Sequence, residues 1–308
     1  MENRMDRRNF LGLSGLSLAA LAAAPALAKA TKPRRWGLQG GTVLKPLEAD
    51  FEGTLKALAA MGYKEIGTTG SFGRDPHYVR AQLDRFGLTS PNNHVAPKAT
   101  YASFQGWVRR QISSEDNMKV YAETFSLKNA RAAFEDGIAT SKVLGQKYVM
   151  WAILQDYQIA DRQVIDQYIK LFNELGDMCA REGKVFAFHN HAREFAKVGN
   201  DVILDLFLEN TDPEKVKFEL DFYWATKAGV DPIAYMKRYA GRTKLCHIKD
   251  ITATGDFAPV GSGTLDVPKL IQQADDAGIQ HFLVEIDRAD DPLAAVDSSI
   301  KYLRKTVG

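Results

Sequence analysis

Eight short apolar runs, alternating with amphipathic stretches, constrain this chain more than any other feature of its sequence. They fall at 35–39, 64–68, 89–95, 147–153, 185–191, 216–222, 244–249 and 281–286. Their apolar cores are nearly continuous, as in Tyr148-Val149-Met150-Trp151, and parallel strands covered on both faces read in this way. The stretches between them carry helix punctuation. Asp75-Pro76, Asp231-Pro232 and Asp291-Pro292 each put a capping carboxylate before a proline suited to a first helical turn. Asp212-Pro213 offers a shorter turn of the same kind. Gly87, Gly241 and Gly278 fall just past predicted helix ends, where left-handed backbone is wanted. Apolar residues at Val164, Ile165, Tyr168, Leu171, Phe172, Leu175 and Met178 form a helical stripe suited to packing on a sheet.

Eightfold strand–helix alternation predicts an α/β fold, specifically a closed (β/α)8 TIM barrel. An open doubly wound sheet would alternate similarly, but Gly40-Gly41 after the first strand does not match the glycine-rich phosphate loop of that fold. One barrel domain is expected over 31–308. At 308 residues, 45% apolar and 25% charged, the chain can bury a core of that size. The one long connection runs from about Pro97 to Asn129, a length often used for a lid.

Residues 1–30 read as a signal peptide to be excluded from the fold. Arg7-Arg8 precedes Asn9-Phe10-Leu11 and an apolar stretch to Ala28, and Ala26-Leu27-Ala28 or Ala28-Lys29-Ala30 offers a small-x-small cleavage site. Paired arginines here resemble a twin-arginine export signal, which predicts a periplasmic protein. No later segment approaches the ~20 apolar residues of a spanning helix, so no membrane span is expected in the mature chain. The net charge of +2 falls to +1 when Arg4, Arg7 and Arg8 leave with Glu2 and Asp6, and to 0 if Lys29 leaves too. A near-neutral chain offers no electrostatic footprint for nucleic acid, so no nucleic-acid partner is expected. Cys179 and Cys246 are expected to be buried free thiols.

Catalytic groups of a barrel sit at the C-terminal ends of its strands. Strand three ends in His94, strand four near Trp151, and strand five in His189-Asn190-His191 with Arg193 and Glu194 just beyond. Strand six ends in Glu219-Leu220-Asp221, strand seven in His247-Ile248-Lys249-Asp250, and strand eight in Glu285-Ile286-Asp287. By period-two alternation His189 and His191 share one side of strand five, as Glu219 and Asp221 share one side of strand six. One imidazole or carboxylate on each of four adjacent strands predicts a site for one divalent ion. His189, Asp221, His247 and Glu285 are the candidate ligands, with His191 an alternative to His189. Such a set suits Mn²⁺, Zn²⁺, Co²⁺ or Fe²⁺ better than Ca²⁺.

The segments FAFHNHAREF (186–195), KFELDFYW (217–224), KLCHIKD (244–250), VGSGTLD (260–266) and FLVEIDR (282–288) resemble the sugar phosphate isomerase/epimerase family of xylose isomerase-like TIM barrels. The resemblance covers most of the chain beyond the leader and implies one divalent metal on His189, Asp221, His247 and Glu285. It also implies a small-molecule sugar or keto-sugar substrate, and members of the superfamily often pair as homodimers. The better-known epimerases carry Glu where this chain has His189, and that Glu works as an acid/base pair with the counterpart of Glu285. His191 is the residue placed to take the vacant role.

The implied chemistry is proton abstraction next to a carbonyl, with a metal-stabilised enediolate. Glu285 would be ligand and base, and His191 the second acid/base, because imidazole titrates near neutrality. His94, Trp151, Lys249 and Glu194 would contact substrate. Reprotonation on carbon gives the first reading, an isomerase/epimerase. Expulsion of a β-leaving group gives the second, a lyase acting on 3-keto-glycosides, a substrate class that suits an exported protein because sugars outside the cytoplasm are rarely phosphorylated. A periplasmic sugar-binding protein without catalysis is a third reading. A nuclease is the least favoured, since the chain lacks a basic face.

Overall fold

The structure, a computed structural model, describes Arg34–Gly308, which form one compact unit. The leader at 1–30 and its cleavage sites lie outside the described residues. Eight strands close a parallel barrel: β1 (Trp36–Gln39), β2 (Glu65–Thr69), β3 (Asn92–His94), β4 (Tyr148–Trp151), β5 (Val185–His189), β6 (Val216–Asp221), β7 (Thr243–Ile248) and β8 (His281–Val284). Their order is β1-β8-β7-β6-β5-β4-β3-β2, so each pairs with its sequence neighbours and β1 closes on β8. The expected (β/α)8 TIM barrel is the observed fold.

The helices begin where their chemistry says they should. Asp75, Asp231 and Asp291 each accept a backbone N–H of the following turn, with proline at the first helical positions. Gly87, Gly241 and Gly278 hold φ of 67°, 84° and 80°, which a side chain would strain. The apolar stripe lies on helix Arg162–Arg181, capped by Asp161, and buries Ile165, Tyr168, Leu171, Phe172, Leu175 and Cys179. Both cysteines are free and buried. Among the described residues, no helix is long and apolar enough to cross a membrane.

Several strands are shorter or shifted by a residue, and three differences from the sequence reading bear on the site. The third run is strand only at Asn92–His94, with an isolated bridge between Thr89 and Glu65, because Pro91 between them has no N–H to give the ladder. The fifth strand stops at His189 rather than His191. There the Asn190 side chain takes over, its Oδ1 accepting the Asp221 N–H at 3.0 Å. The long connection after β3 is not an open loop: helices Lys98–Val108 and Ser114–Thr124 pack on one another within it.

Alternation sorts the barrel wall. Tyr148, Met150, Ala187, Leu245 and Leu283 form a small cluster inside the barrel. Their neighbours Val149, Trp151, Phe186 and Phe188 belong to the larger core between strands and helices. Further toward the C-terminal ends the interior positions turn polar, and these carry the site.

Candidate metal centre and active site

His189 closes β5, Asp221 closes β6, His247 lies on β7 and Glu285 follows β8, its N–H still donating to Ile248 on β7. Asp221 and His247 are paired in register, and His189 is paired with Glu219 one pleat below Asp221. One ligand atom from each of the four residues lies within 4.8 Å of the other three. Asp221 has divided duties: Oδ1 accepts the Trp224 N–H at 2.9 Å, and Oδ2 makes no hydrogen bond.

This donor set fits a divalent ion. Asp221 Oδ2, Glu285 Oε2 and His247 Nδ1 are buried atoms that make no hydrogen bond and meet only charged neighbours, a crowding of donor atoms that a bound cation would relieve. Two imidazoles and two carboxylates converging on one point suit a transition-metal ion or zinc.

The surroundings are strongly charged. Lys249 Nζ is buried 3.0 Å from Asp221 Oδ2, 2.8 Å from Glu285 Oε2 and 2.7 Å from Asp287 Oδ1. Burial opposes its charge, but Asp221 and Asp287 outweigh burial and hold its pKa well above the ordinary value. Burial lifts Asp221 to about 6, even against Lys249. Burial also opposes charge on His247, yet Glu219 and Glu285 raise it to about 10 in the metal-free site. His189 moves the other way, lowered by burial and by His247.

His191 lies beyond the strand end, half-buried, with its ring 5.0 Å from that of His189 and 5.3 Å from that of Trp224. Burial and the Lys249 charge push its pKa down to about 3, favouring the neutral imidazole. Its Nδ1 is buried without a partner. Glu194 is fully buried beneath the same turn. One oxygen accepts the His191 N–H at 2.9 Å, the other has no partner, and burial lifts its pKa to about 7. It braces His191 and offers no face to solvent.

His94 turns its Nε2 to Glu219 at 3.0 Å, with its ring 5.5 Å from that of His247. Trp151 is not at the pocket at all. It points outward from β4 into the aromatic layer of Phe125, Phe134 and Phe172, and its Nε1 donates to Ile153. The expected sugar contact at Trp151 fails because its position alternates to the outer face of the barrel.

Sequence reasoning missed four contributors. Glu219 is a fully buried carboxylate within reach of His94, His189 and His247. Asp287 holds Lys249. Trp224 lies face-on to Lys249 at 5.7 Å, with a buried Nε1 that has no partner. Asp250 is the fourth. Its carboxylate accepts the N–H groups of Ile251, Gly261, Gly263 and Leu265 and fastens the loop after β7. A Cβ on Gly263 would sit 2.2 Å from Asp250 Oδ1, so only glycine fits there. Period-two alternation had put Glu219 on the same side as Asp221 but gave it no role. Nothing in the local sequence marks the other three.

Comparison with known proteins agrees with this architecture. The family model described as xylose isomerase-like TIM barrel matches residues 55–306. The chain is 25% identical over 166 residues to an inosose dehydratase of Geobacillus thermodenitrificans, covering 46% of this chain and 55% of that protein, about half its length. It is 19% identical over 280 residues to an inosose dehydratase of Clostridium beijerinckii, covering 84% and 88%. Among solved structures, a sugar phosphate isomerase/epimerase of Parabacteroides distasonis superposes with TM-score 0.72 at 25% identity, over 91% of this chain and 96% of that one. Two more share the fold. An E. coli 3-keto-D-glucoside 4-epimerase has TM-score 0.58 at 16% identity, over 89% and 100% of the two chains. The zinc-bound IOLI protein has TM-score 0.64 at 15%, over 89% and 98%.

Proposed function

The chain belongs to the xylose isomerase-like TIM barrel family, and from that premise we infer that it is a metal-dependent enzyme abstracting a proton next to the carbonyl of a keto-sugar. A divalent ion held by His189, Asp221, His247 and Glu285 would polarise that carbonyl. The chain's own residues then divide the work. His191 would take the proton through its unpartnered Nδ1, and Lys249 would put a buried positive charge where the enolate oxygen develops. Asp287 keeps the Lys249 ammonium aimed. Trp224 offers a ring for the sugar face in place of Trp151.

The observation that carries the choice of outcome is His189 standing where the two-carboxylate epimerases have Glu. Epimerisation needs one group to take a proton and another to return it from the opposite face. Elimination needs one base and one acid to protonate the leaving group. With one carboxylate of that pair replaced by His189, return of a proton from the opposite face lacks its usual donor, so β-elimination from a keto-sugar or 3-keto-glycoside is the reading the site supports best. The dehydratase names of the relatives point the same way. Epimerisation or isomerisation is the second reading, supported by the isomerase/epimerase name of the Parabacteroides protein. The Arg7-Arg8 leader supports placing the reaction in the periplasm, where unphosphorylated glycosides occur.

The test mixes metal-loaded protein with inososes, keto-sugars and 3-keto-glycosides in D₂O. Free aglycone or an unsaturated product supports elimination. Deuterium at the carbon beside an intact carbonyl supports epimerisation instead. Binding of these sugars with no turnover of any sinks both and leaves a sugar-binding protein.

A further inference from the structure

Glu219 does more than fill the barrel interior. We propose, resting on the metal-centre reading, that it is a positioning residue whose carboxylate fixes the tautomers of two histidine ligands. His189 would thereby meet the metal through Nε2 and His247 through Nδ1.

Each of the two rings spans the gap between Glu219 and the other ligands. His189 presents Nε2 at 3.8 Å from Asp221 Oδ2 and Nδ1 at 3.5 Å from Glu219 Oε2. His247 presents Nδ1 at 2.6 Å from Glu285 Oε2 and 3.8 Å from Asp221 Oδ2, with Nε2 at 3.2 Å from Glu219 Oε2. A neutral imidazole has one N–H and one lone pair. A buried carboxylate needs donors, and a metal needs lone pairs. Both demands are met together only if each N–H faces Glu219 and each lone pair faces Asp221 and Glu285.

The rest of the hub agrees. His94 Nε2 bonds to the same oxygen at 3.0 Å, and Asn92 Nδ2 donates to the other oxygen at 3.2 Å. Thus β3 reaches across the barrel to hold Glu219 in place. The ladder between β6 and β7 also shifts register between Phe218 and Glu219, an irregularity of the kind that re-aims a side chain. A carboxylate behind the histidines also supplies negative charge where His189 replaces an acidic ligand. His94, Glu219 and His247 lie close enough to hold an ion of their own, sharing His247. The existing His94 bond and the Asn92 donor favour protons over a second metal.

The experiment uses the full chain with Co²⁺ as probe, comparing wild type with Glu219→Gln for stoichiometry, affinity and visible absorption. In parallel, long-range ¹H–¹⁵N spectra of the Zn²⁺-loaded wild type read the tautomers. The expected result is one equivalent bound, about 10- to 100-fold weaker in the variant, with a shifted d–d band. The spectra should show N–H at Nδ1 of His189 and at Nε2 of His247. Equal affinity with an unchanged band, or the opposite tautomers, overturns the proposal. So does binding of two equivalents by wild type and one by the variant, which would make Glu219 a ligand. If the variant does not fold, the wild-type spectra decide. Wild type that takes up no Co²⁺ refutes the metal centre itself, a separate failure.

Discussion

Lys249 Nζ and Glu285 Oε2 sit 2.8 Å apart, the lysine buried and the glutamate only partly exposed. The ammonium is thus a fixed part of the site, with Asp287 holding it from behind. Replacing it with methionine keeps the bulk and removes the charge. Lys249→Met should cut kcat by about 10²- to 10³-fold, as loss of one buried electrostatic stabiliser does. The protein should still bind metal, since Lys249 donates no ligand. Steady-state kinetics on the substrate found in the D₂O screen, alongside elemental analysis, measure both quantities. Full activity in the variant would remove Lys249 from the mechanism.

Chelation provides the second test. Dialysis against EDTA should abolish turnover and lower Tm, because an ion that binds only the folded state stabilises it by mass action. Asp221→Asn should reproduce the loss of metal. Calorimetry with and without added Mn²⁺ or Zn²⁺ reads the shift, and a Tm indifferent to both ions would contradict the site.

Trp151 and Trp224 should behave oppositely. Trp151→Ala empties the aromatic layer between β4 and helix Arg162–Arg181 and should cost about 3–5 kcal/mol of stability, with KM unchanged in whatever folded protein remains. Trp224→Ala should raise KM while leaving Tm within a few degrees. Urea unfolding paired with kinetics on the two variants separates the roles, and a raised KM in Trp151→Ala would undo the assignment.

Glu194 makes stability depend on pH. Its folded pKa of about 7 lies above the ordinary carboxyl value, so the folded chain keeps a proton that the unfolded chain gives up. Stability is then greatest below the ordinary carboxyl pKa and falls as pH rises toward 7. Glu194→Gln retains an acceptor for the His191 N–H and removes this slope. The variant should gain on the order of 2–3 kcal/mol relative to wild type at pH 8 and nothing at pH 4. Denaturation of the metal-free proteins across that range measures the difference, and parallel curves would show that Glu194 is not a buried acid.

The barrel was legible in the sequence because its strands are buried on both faces and its helices are punctuated by aspartate, proline and glycine. The four candidate ligands were legible because strand ends in a barrel face one pocket. Trp151 was misread because a strand boundary uncertain by one residue exchanges inside for outside. His191 was placed near the site, but the burial and the Lys249 charge that push its pKa down are not local in sequence. Glu219 and Asp287 act through partners on other elements, and Asp250 through N–H groups spread along the loop that follows it, contacts that no short motif advertises.

The Asp250 clasp has a consequence for how the site meets its substrate. Four backbone N–H groups converge on one carboxylate, and Gly263 leaves no slack beside it. The loop after β7 is therefore set before any ligand arrives, and a contact made to it incurs little entropy of ordering. On the proposed function, a sugar bounded by this loop would be selected by exclusion, as in a gauge with a fixed aperture. Loosening the clasp would broaden the range of sugars admitted before it slowed the chemistry on any of them.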